Sequence, residues 1–169
     1  AEAASLPLVG LTAWQALIDL AQLRAGQKVL IHAGSGGVGT FAIQLAKHLG
    51  AHVATTASAR NHALVKSLGA DVAIDYRTTP FETIARDQDV ILDTQGGDTL
   101  LRSFKAVKPG GVVVTIGGRP DGKFARAWGL GTSGQLGNNG TLSKNAPVVV
   151  TGLASAQEVS AGSLHSLAV

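Results

Sequence analysis

Residues 28–39 read Lys28-Val29-Leu30-Ile31-His32-Ala33-Gly34-Ser35-Gly36-Gly37-Val38-Gly39. A mostly apolar run enters a glycine-rich turn. Residues 38–49 follow with Phe41, Leu45 and Leu49 at helical spacing, and Gly50 stands where a helix stops. The pattern is that of a buried strand, a tight turn and a helix. Gly34, Gly36 and Gly39 fill the G-x-G-x-x-G spacing. In that spacing one glycine makes the turn, one lets the backbone approach a pyrophosphate, and one lets helix and strand pack closely. Free N–H groups and the positive dipole end of the helix then attract an anion. Gly34, Ser35, Gly36, Gly37, Val38 and Gly39 are therefore candidate dinucleotide contacts. The alternative is a tight strand–helix turn with no ligand.

Upstream, Thr12 reads as an N-cap, with Trp14, Leu17, Ile18 and Ala21 at helical spacing behind it and Gly26 as a stop. Downstream, strands are predicted over residues 52–56, 72–75, 89–93 and 111–116. Helices are predicted over 60–68, from the capping box Thr79-Pro80-Phe81-Glu82, and from a cap at Asp98 to about Ala106. Strands alternating with helices predict an α/β fold, a Rossmann-like doubly wound parallel sheet. The first and fifth strands are almost wholly apolar, as expected of strands buried on both faces.

From about Gly117 the composition turns to Gly, Ser, Asn and Val. Residues 147–151 are the clearest strand there, and 156–160 a weaker one. The reading is a dinucleotide-binding domain over 1–125 and a short β-rich segment over 126–169. That segment is too short to bury a core alone. If the fifth strand leaves an open sheet edge, 148–151 is expected either to cap it or to pair with a second copy, making a homodimer.

The chain has 169 residues, 45% of them hydrophobic, and no cysteine. Disulfides, thiolate chemistry and sulfur-ligated zinc are excluded. The net charge of +3 is spread out, and the few aromatic residues do not interleave with basic ones, which argues against nucleic-acid binding. No stretch is long enough to span a membrane. No charged-then-apolar leader precedes Leu6, so a cytoplasmic setting is expected.

The end of the second strand discriminates between nicotinamide cofactors. An acid there would grip a ribose 2′-hydroxyl. Residues 55–61 carry none. Ser58 can donate a hydrogen bond and Arg60 can pair with a 2′-phosphate, so NADP (NADPH) is favoured over NAD. Ser58 also reads as a helix N-cap, and Arg60 as a solvated charge. Thr94, Gln95 and Gly96 end the fourth strand, and Gly117 and Gly118 the fifth, at the carboxyl edge where open α/β sheets bind ligands. The five histidines form no metal site; His48 and His52 are separated by Gly50. Asp71 and Asp75 read as caps of neighbouring elements.

Several landmarks occur in order: residues 8–14, Leu-Val-Gly-Leu-Thr-Ala-Trp; 32–39, His-Ala-Gly-Ser-Gly-Gly-Val-Gly; 67–71, Ser-Leu-Gly-Ala-Asp; 75–77, Asp-Tyr-Arg; and 107–111, Val-Lys-Pro-Gly-Gly. On these, residues 1–128 resemble the cofactor domain of medium-chain dehydrogenase/reductases, in the zinc-independent, quinone-oxidoreductase-like branch. The resemblance implies hydride transfer from NADPH to a small-molecule quinone or enone, with no single catalytic side chain evident. It places Tyr76 beside the adenosine phosphate; otherwise Tyr76 is a sheet-end aromatic packed on the helix at 81–86. Zinc-dependent members carry a ligating cysteine where this chain has Leu8, so no metal is expected, and Leu8 reads as core packing. Residues 126–169 resemble one repeat of the regulator of chromosome condensation family, a β-propeller blade, through 127–129, 134–138, 147–150 and 160–168. One blade has no neighbour on which to bury its faces. The family's N-terminal substrate domain and last strand have no counterpart here, which suggests a fusion incomplete for catalysis. The rival reading is a non-catalytic fusion or scaffold protein with an assembly role.

Overall fold

The computed structural model describes residues 2–117, with side chains from Leu6 onward, and the backbone of four strands beyond. The chain divides into two compact units, Ala1–Gly118 and Arg119–Val169. The expected domain boundary near residue 125 lies outside the described residues, as does Gly118.

The first unit opens with α1 (Glu2–Trp14), followed directly by a π-helical turn, Gln15–Leu20. Strand β1 (Lys28–Ile31) then leads to α2 (Gly37–His48), β2 (His52–Ala57), a 3-10 turn (Ala59–Asn61) and α3 (His62–Ser67). The rest is β3 (Val72–Asp75), α4 (Phe81–Ile84), β4 (Gln88–Asp93), α5 (Gly97–Ser103) and β5 (Val107–Thr115).

The five strands form one parallel sheet in the order β3-β2-β1-β4-β5. Val29 pairs with Val53 on one side and with Val90 on the other. Alternate residues of the central strand serve opposite layers. Val29 and Ile31 pack with Leu17, Ile43 and Val65 on one face, and Leu30 packs with Ile74, Phe81 and Ala106 on the other. This is the Rossmann-like α/β fold. The chain reverses direction across the sheet between β3 and β4, so a crevice opens at the carboxyl ends of β1 and β4.

Several local expectations are corrected. Thr12 does not cap a helix: α1 begins ten residues earlier, and Thr12 Oγ1 donates back to Leu8 O at 2.8 Å, as threonines inside helices do. Leu8 is not core; it is 77% exposed. The capping box at Thr79 does not form, because helix α4 starts at Phe81 and Glu82 turns to Arg102 instead. Asp98 lies inside the first turn of α5, whose N-cap is Gly96 at φ +69°. Strand β5 starts at Val107 rather than after Gly110, with an irregularity in its pairing to β4, and as an edge strand it is only partly buried.

In the second unit, β6 (Arg126–Gly129) pairs antiparallel with β7 (Lys144–Val149), and β8 (Val159–Ala161) with β9 (Ser166–Ala168). The expected strand at 147–151 thus begins earlier, and its partner is β6 rather than the β5 edge. A single chain supplies a nearer antiparallel neighbour, and a local pairing closes a shorter loop.

Candidate functional site

The glycine turn divides its labour clearly. Gly34 is buried, and a Cβ there would collide with the Thr55 side chain and lie 2.8 Å from Ile43 Cδ1. Gly39 is buried too, and a Cβ would collide with Ala33 O and the Gly34 backbone. These two glycines press turn, helix and sheet together. Gly36 differs: among the described residues its one near neighbour would be Ala33 O at 3.2 Å, which leaves its outer side open there. Gly36 N donates to Ala33 O at 2.9 Å, which closes the turn, and α2 starts at the next residue. The N–H groups of Gly37, Val38 and Gly39 occupy the first turn of α2, where no intrahelical acceptor exists.

This turn is one wall of a cleft of about 390 Å³ at the carboxyl edge of the sheet. That volume falls within the usual range for small-molecule sites. Of the residues singled out from sequence, Ser35, Gly36, Ser58, Arg60, Tyr76 and Gln95 line it together. They come from four separate connections, after β1, β2, β3 and β4. Gly34, Gly37, Val38, Gly39, Thr94 and Gly117 do not line it. Thr94 Oγ1 donates to His32 O at 2.9 Å, tying β4 to β1. Gly117 lies against the Gln95–Gly96 turn so closely that a Cβ would strike the Gly96 amide.

Ser58 is 6% exposed and occupies the N-cap position of the 3-10 turn, as read from sequence, but its side chain makes no capping hydrogen bond. Its carbonyl accepts from Asn61 N at 2.8 Å, and Asn61 Nδ2 donates to Ser35 Oγ at 2.9 Å, bridging the glycine turn to the loop after β2. Arg60 is exposed on that loop and is in no ion pair among the described residues. Tyr76 is 57% exposed rather than packed on α4, and the Arg77 guanidinium stands 5.7 Å from its ring centroid.

The floor of the cleft was not legible in sequence. It is built by His32, Phe81 and Arg102. His32 is 1% exposed, in edge-to-face contact with Phe81 at 4.5 Å between ring centroids. Burial lowers its pKa to about 4, against which the nearby Asp93 carboxylate pulls upward. Arg102 lies 4.8 Å from the Phe81 ring centroid and donates to both Glu82 oxygens, at 3.0 and 2.7 Å. The Arg102 hydrogen bond holds the Glu82 carboxyl below its usual range, and Glu82 in turn raises the guanidinium. The signal for His32 was its place at the carboxyl end of the central strand. Nothing local marks Phe81 or Arg102.

Asp93 is fully buried at the end of β4 and holds the adjoining turn. Its carboxylate accepts from Gln95 N at 3.0 Å, from Gly96 N at 3.0 Å and from Thr115 Oγ1 at 2.7 Å. Asp71, read as a cap, accepts from Val53 N and Lys47 Nζ. Desolvation raises its pKa, but these hydrogen bonds outweigh it and leave the carboxyl below the usual range.

Residues 37–146 match the zinc-binding dehydrogenase family. The chain belongs to that family. Residues 127–169 also match the regulator of chromosome condensation (RCC1) repeat, so the two matches overlap between 127 and 146. Within the dehydrogenases, the chain is 45% identical over 115 residues to a mitochondrial NAD(P)H oxidoreductase of Danio rerio, covering 64% of this chain and 30% of that protein. It is 44% identical over 120 residues to a 2-methylene-furan-3-one reductase of Solanum lycopersicum, covering 70% and 30%. Among solved structures it is similar to a quinone oxidoreductase from Coxiella burnetii, at TM-score 0.64 and 49% identity, over 66% of this chain and 35% of that one. The CurK enoyl reductase is similar at TM-score 0.67 and 37% identity, over 70% and 37%. The chain thus spans about a third of these dehydrogenase relatives, and 6% of a polyketide synthase protein from Streptomyces orinoci that it also matches.

Members of this family use a nicotinamide cofactor, and the cleft fits one. Among the described residues it offers open space over Gly36, amides without intrahelical acceptors at the α2 terminus and a cation at Arg60 that is in no ion pair. The same residues do not fit a catalytic zinc. The chain has no cysteine, Leu8 stands at the position of the expected ligand, and no group of three His, Asp or Glu side chains gathers among the described residues. No helix among the described residues is long and apolar enough to cross a membrane.

Proposed function

We propose that this chain is the NADP(H)-binding domain of a quinone-oxidoreductase-like enzyme that reduces a quinone or an enone in the cytoplasm without zinc. The observation that supports this best is the convergence of Ser35, Gly36, Ser58, Arg60, Tyr76 and Gln95 on one cleft. The turn after β2 carries no carboxylate to take a ribose 2′-hydroxyl and does carry Arg60, which is in no ion pair among the described residues. NADPH, when bound, supplies the hydride. The chain's part is to hold and orient it. Gly36 leaves room for the pyrophosphate, and the α2 amides face its charge. Ser58 and Arg60 would hold the 2′-phosphate by charge-assisted hydrogen bonds, and Tyr76 would lie beside the adenosine phosphate. The similarity to a furanone reductase and a quinone oxidoreductase supports the substrate class.

The β5 edge, terminal in the sheet order, supports pairing with a second copy. The match of 127–169 to an RCC1 repeat favours the second reading, a non-catalytic scaffold. Calorimetric titration separates them. Saturable binding, with NADPH tighter than NADH, is the expected result. No binding at millimolar cofactor would overturn the first reading in favour of the second.

A further inference from the structure

His32 stands in the floor of the cleft, next to the glycine turn in sequence, and its ring is engaged at both nitrogens. Nε2 lies 3.0 Å from Ser103 Oγ, and Nδ1 lies 3.3 Å from Thr56 Oγ1. Ser103 Oγ donates its own proton to Thr99 O at 2.8 Å, so it can only accept from the ring. Nε2 therefore carries the imidazole proton, and Nδ1 accepts from the Thr56 hydroxyl. Thr56 Oγ1 in turn accepts from Ala33 N at 3.0 Å. The bonds run in one direction, from the Ala33 amide through Thr56, His32 and Ser103 to the Thr99 carbonyl, and every donor meets an acceptor.

The residue at the head of this chain is unusual. Ala33 has φ +51°, the left-handed region that a side-chain-bearing residue rarely adopts. It is also where the backbone leaves β1 for the glycine turn. Its carbonyl accepts from Gly36 N, and the next amide, Gly34 N, donates to Thr56 O at 2.9 Å. The direction of the Ala33 peptide thus fixes where Ser35 and Gly36 face. We infer that His32 is a positioning residue for the cofactor, acting through the Thr56 hydroxyl to hold Ala33 in the conformation that presents the glycine turn to the pyrophosphate. This rests on the cofactor reading above. A neutral ring is required, and burial keeps it neutral near pH 7.

The test is a double-mutant cycle on the full chain, with NADPH affinity by calorimetry and the melting temperature recorded beside it. His32→Leu and Thr56→Val are each expected to weaken NADPH binding about tenfold or more. The double variant should lose no more than the worse single one, because both cut the same chain. His32→Gln keeps a donor and an acceptor and should recover most of the affinity. Losses that multiply, or unchanged affinity beside a lowered melting temperature, would reduce His32 to core packing and overturn the inference. If His32→Leu does not fold, the ¹⁵N spectrum of the unaltered protein decides: a proton on Nε2 supports the chain of bonds, and a proton on Nδ1 overturns it. Absence of NADPH binding by the unaltered protein would instead overturn the cofactor reading, and this inference with it.

Discussion

Acid should destabilise this protein through His32 before it removes the contributions of the paired carboxylates of Asp71, Glu82 and Asp89. His32 has a folded pKa of about 4 against 6.5 for the free side chain. Desolvation is the main cause, because a charged imidazole would sit in a site 1% exposed, between Phe81 and two hydroxyls. As the pH falls below 6.5, the unfolded chain binds a proton that the folded chain refuses. Stability is therefore full above the unfolded pKa and declines until the folded pKa is reached, where the folded protein also takes up its proton. The slope approaches about 1.4 kcal/mol per pH unit. From about pH 7 to about pH 4.5 the loss integrates to about 2 kcal/mol. For a unit of this size that is a fall of roughly 10 °C in melting temperature. Asp71, Glu82 and Asp89 have lowered folded pKa values, so their contributions are lost mainly below this window. Urea unfolding at a series of pH values, on the unaltered protein and on His32→Gln, isolates the effect, since the carboxylates are common to both. The slope should flatten in His32→Gln. Equal slopes would mean that His32 protonates freely in the folded state, and the closed hydrogen-bond chain would be refuted.

Arg60→Ala should narrow the gap between NADPH and NADH affinity, since each charge-assisted hydrogen bond to the 2′-phosphate contributes roughly 1.5–3 kcal/mol before desolvation; equal affinities in the unaltered protein would refute the cofactor preference. Gly36→Val should abolish cofactor binding with little loss of stability, whereas Gly39→Ala should unfold or strongly destabilise the unit, because a Cβ at Gly39 would collide with Ala33 O and lie 2.7 Å from Gly34 Cα, while one at Gly36 would stand 3.2 Å from Ala33 O; binding at full strength by Gly36→Val would show that the turn has a structural role alone. Asp93→Ala strands the buried Gly96 amide, at a cost of roughly 1–3 kcal/mol, and also removes the acceptor of the Gln95 amide and the half-buried Thr115 hydroxyl; the loss is measurable by denaturant titration. Elemental analysis of the purified protein should find no stoichiometric zinc, and one tightly held ion per chain would contradict the reading of Leu8.

The order of elements, the parallel sheet and the glycine turn could be read from the chain because they rest on local physics. An apolar run of four to six residues, a glycine at a close approach and a helical apolar stripe each declare themselves within a short window. Ser35, Gly36, Ser58, Arg60, Tyr76 and Gln95 were also legible, since each follows a strand and all strands end at the same edge. What the window could not show is competition between partners far apart in sequence. Glu82 has the spacing of a capping box, but a bidentate arginine twenty residues away offers a stronger bond than a free amide. Leu8 reads as core, yet only the packing of α1 decides which of its faces meets the sheet. Apolar β5 reads as buried on both faces, and its place at the edge of the sheet leaves it only partly buried. His32 shows in sequence only its place at the carboxyl end of the central strand. Its significance comes from Thr56, Phe81 and Ser103, brought around it from three other elements. A buried imidazole acquires its tautomer and its pKa only from such neighbours, and those are decided by the tertiary structure alone.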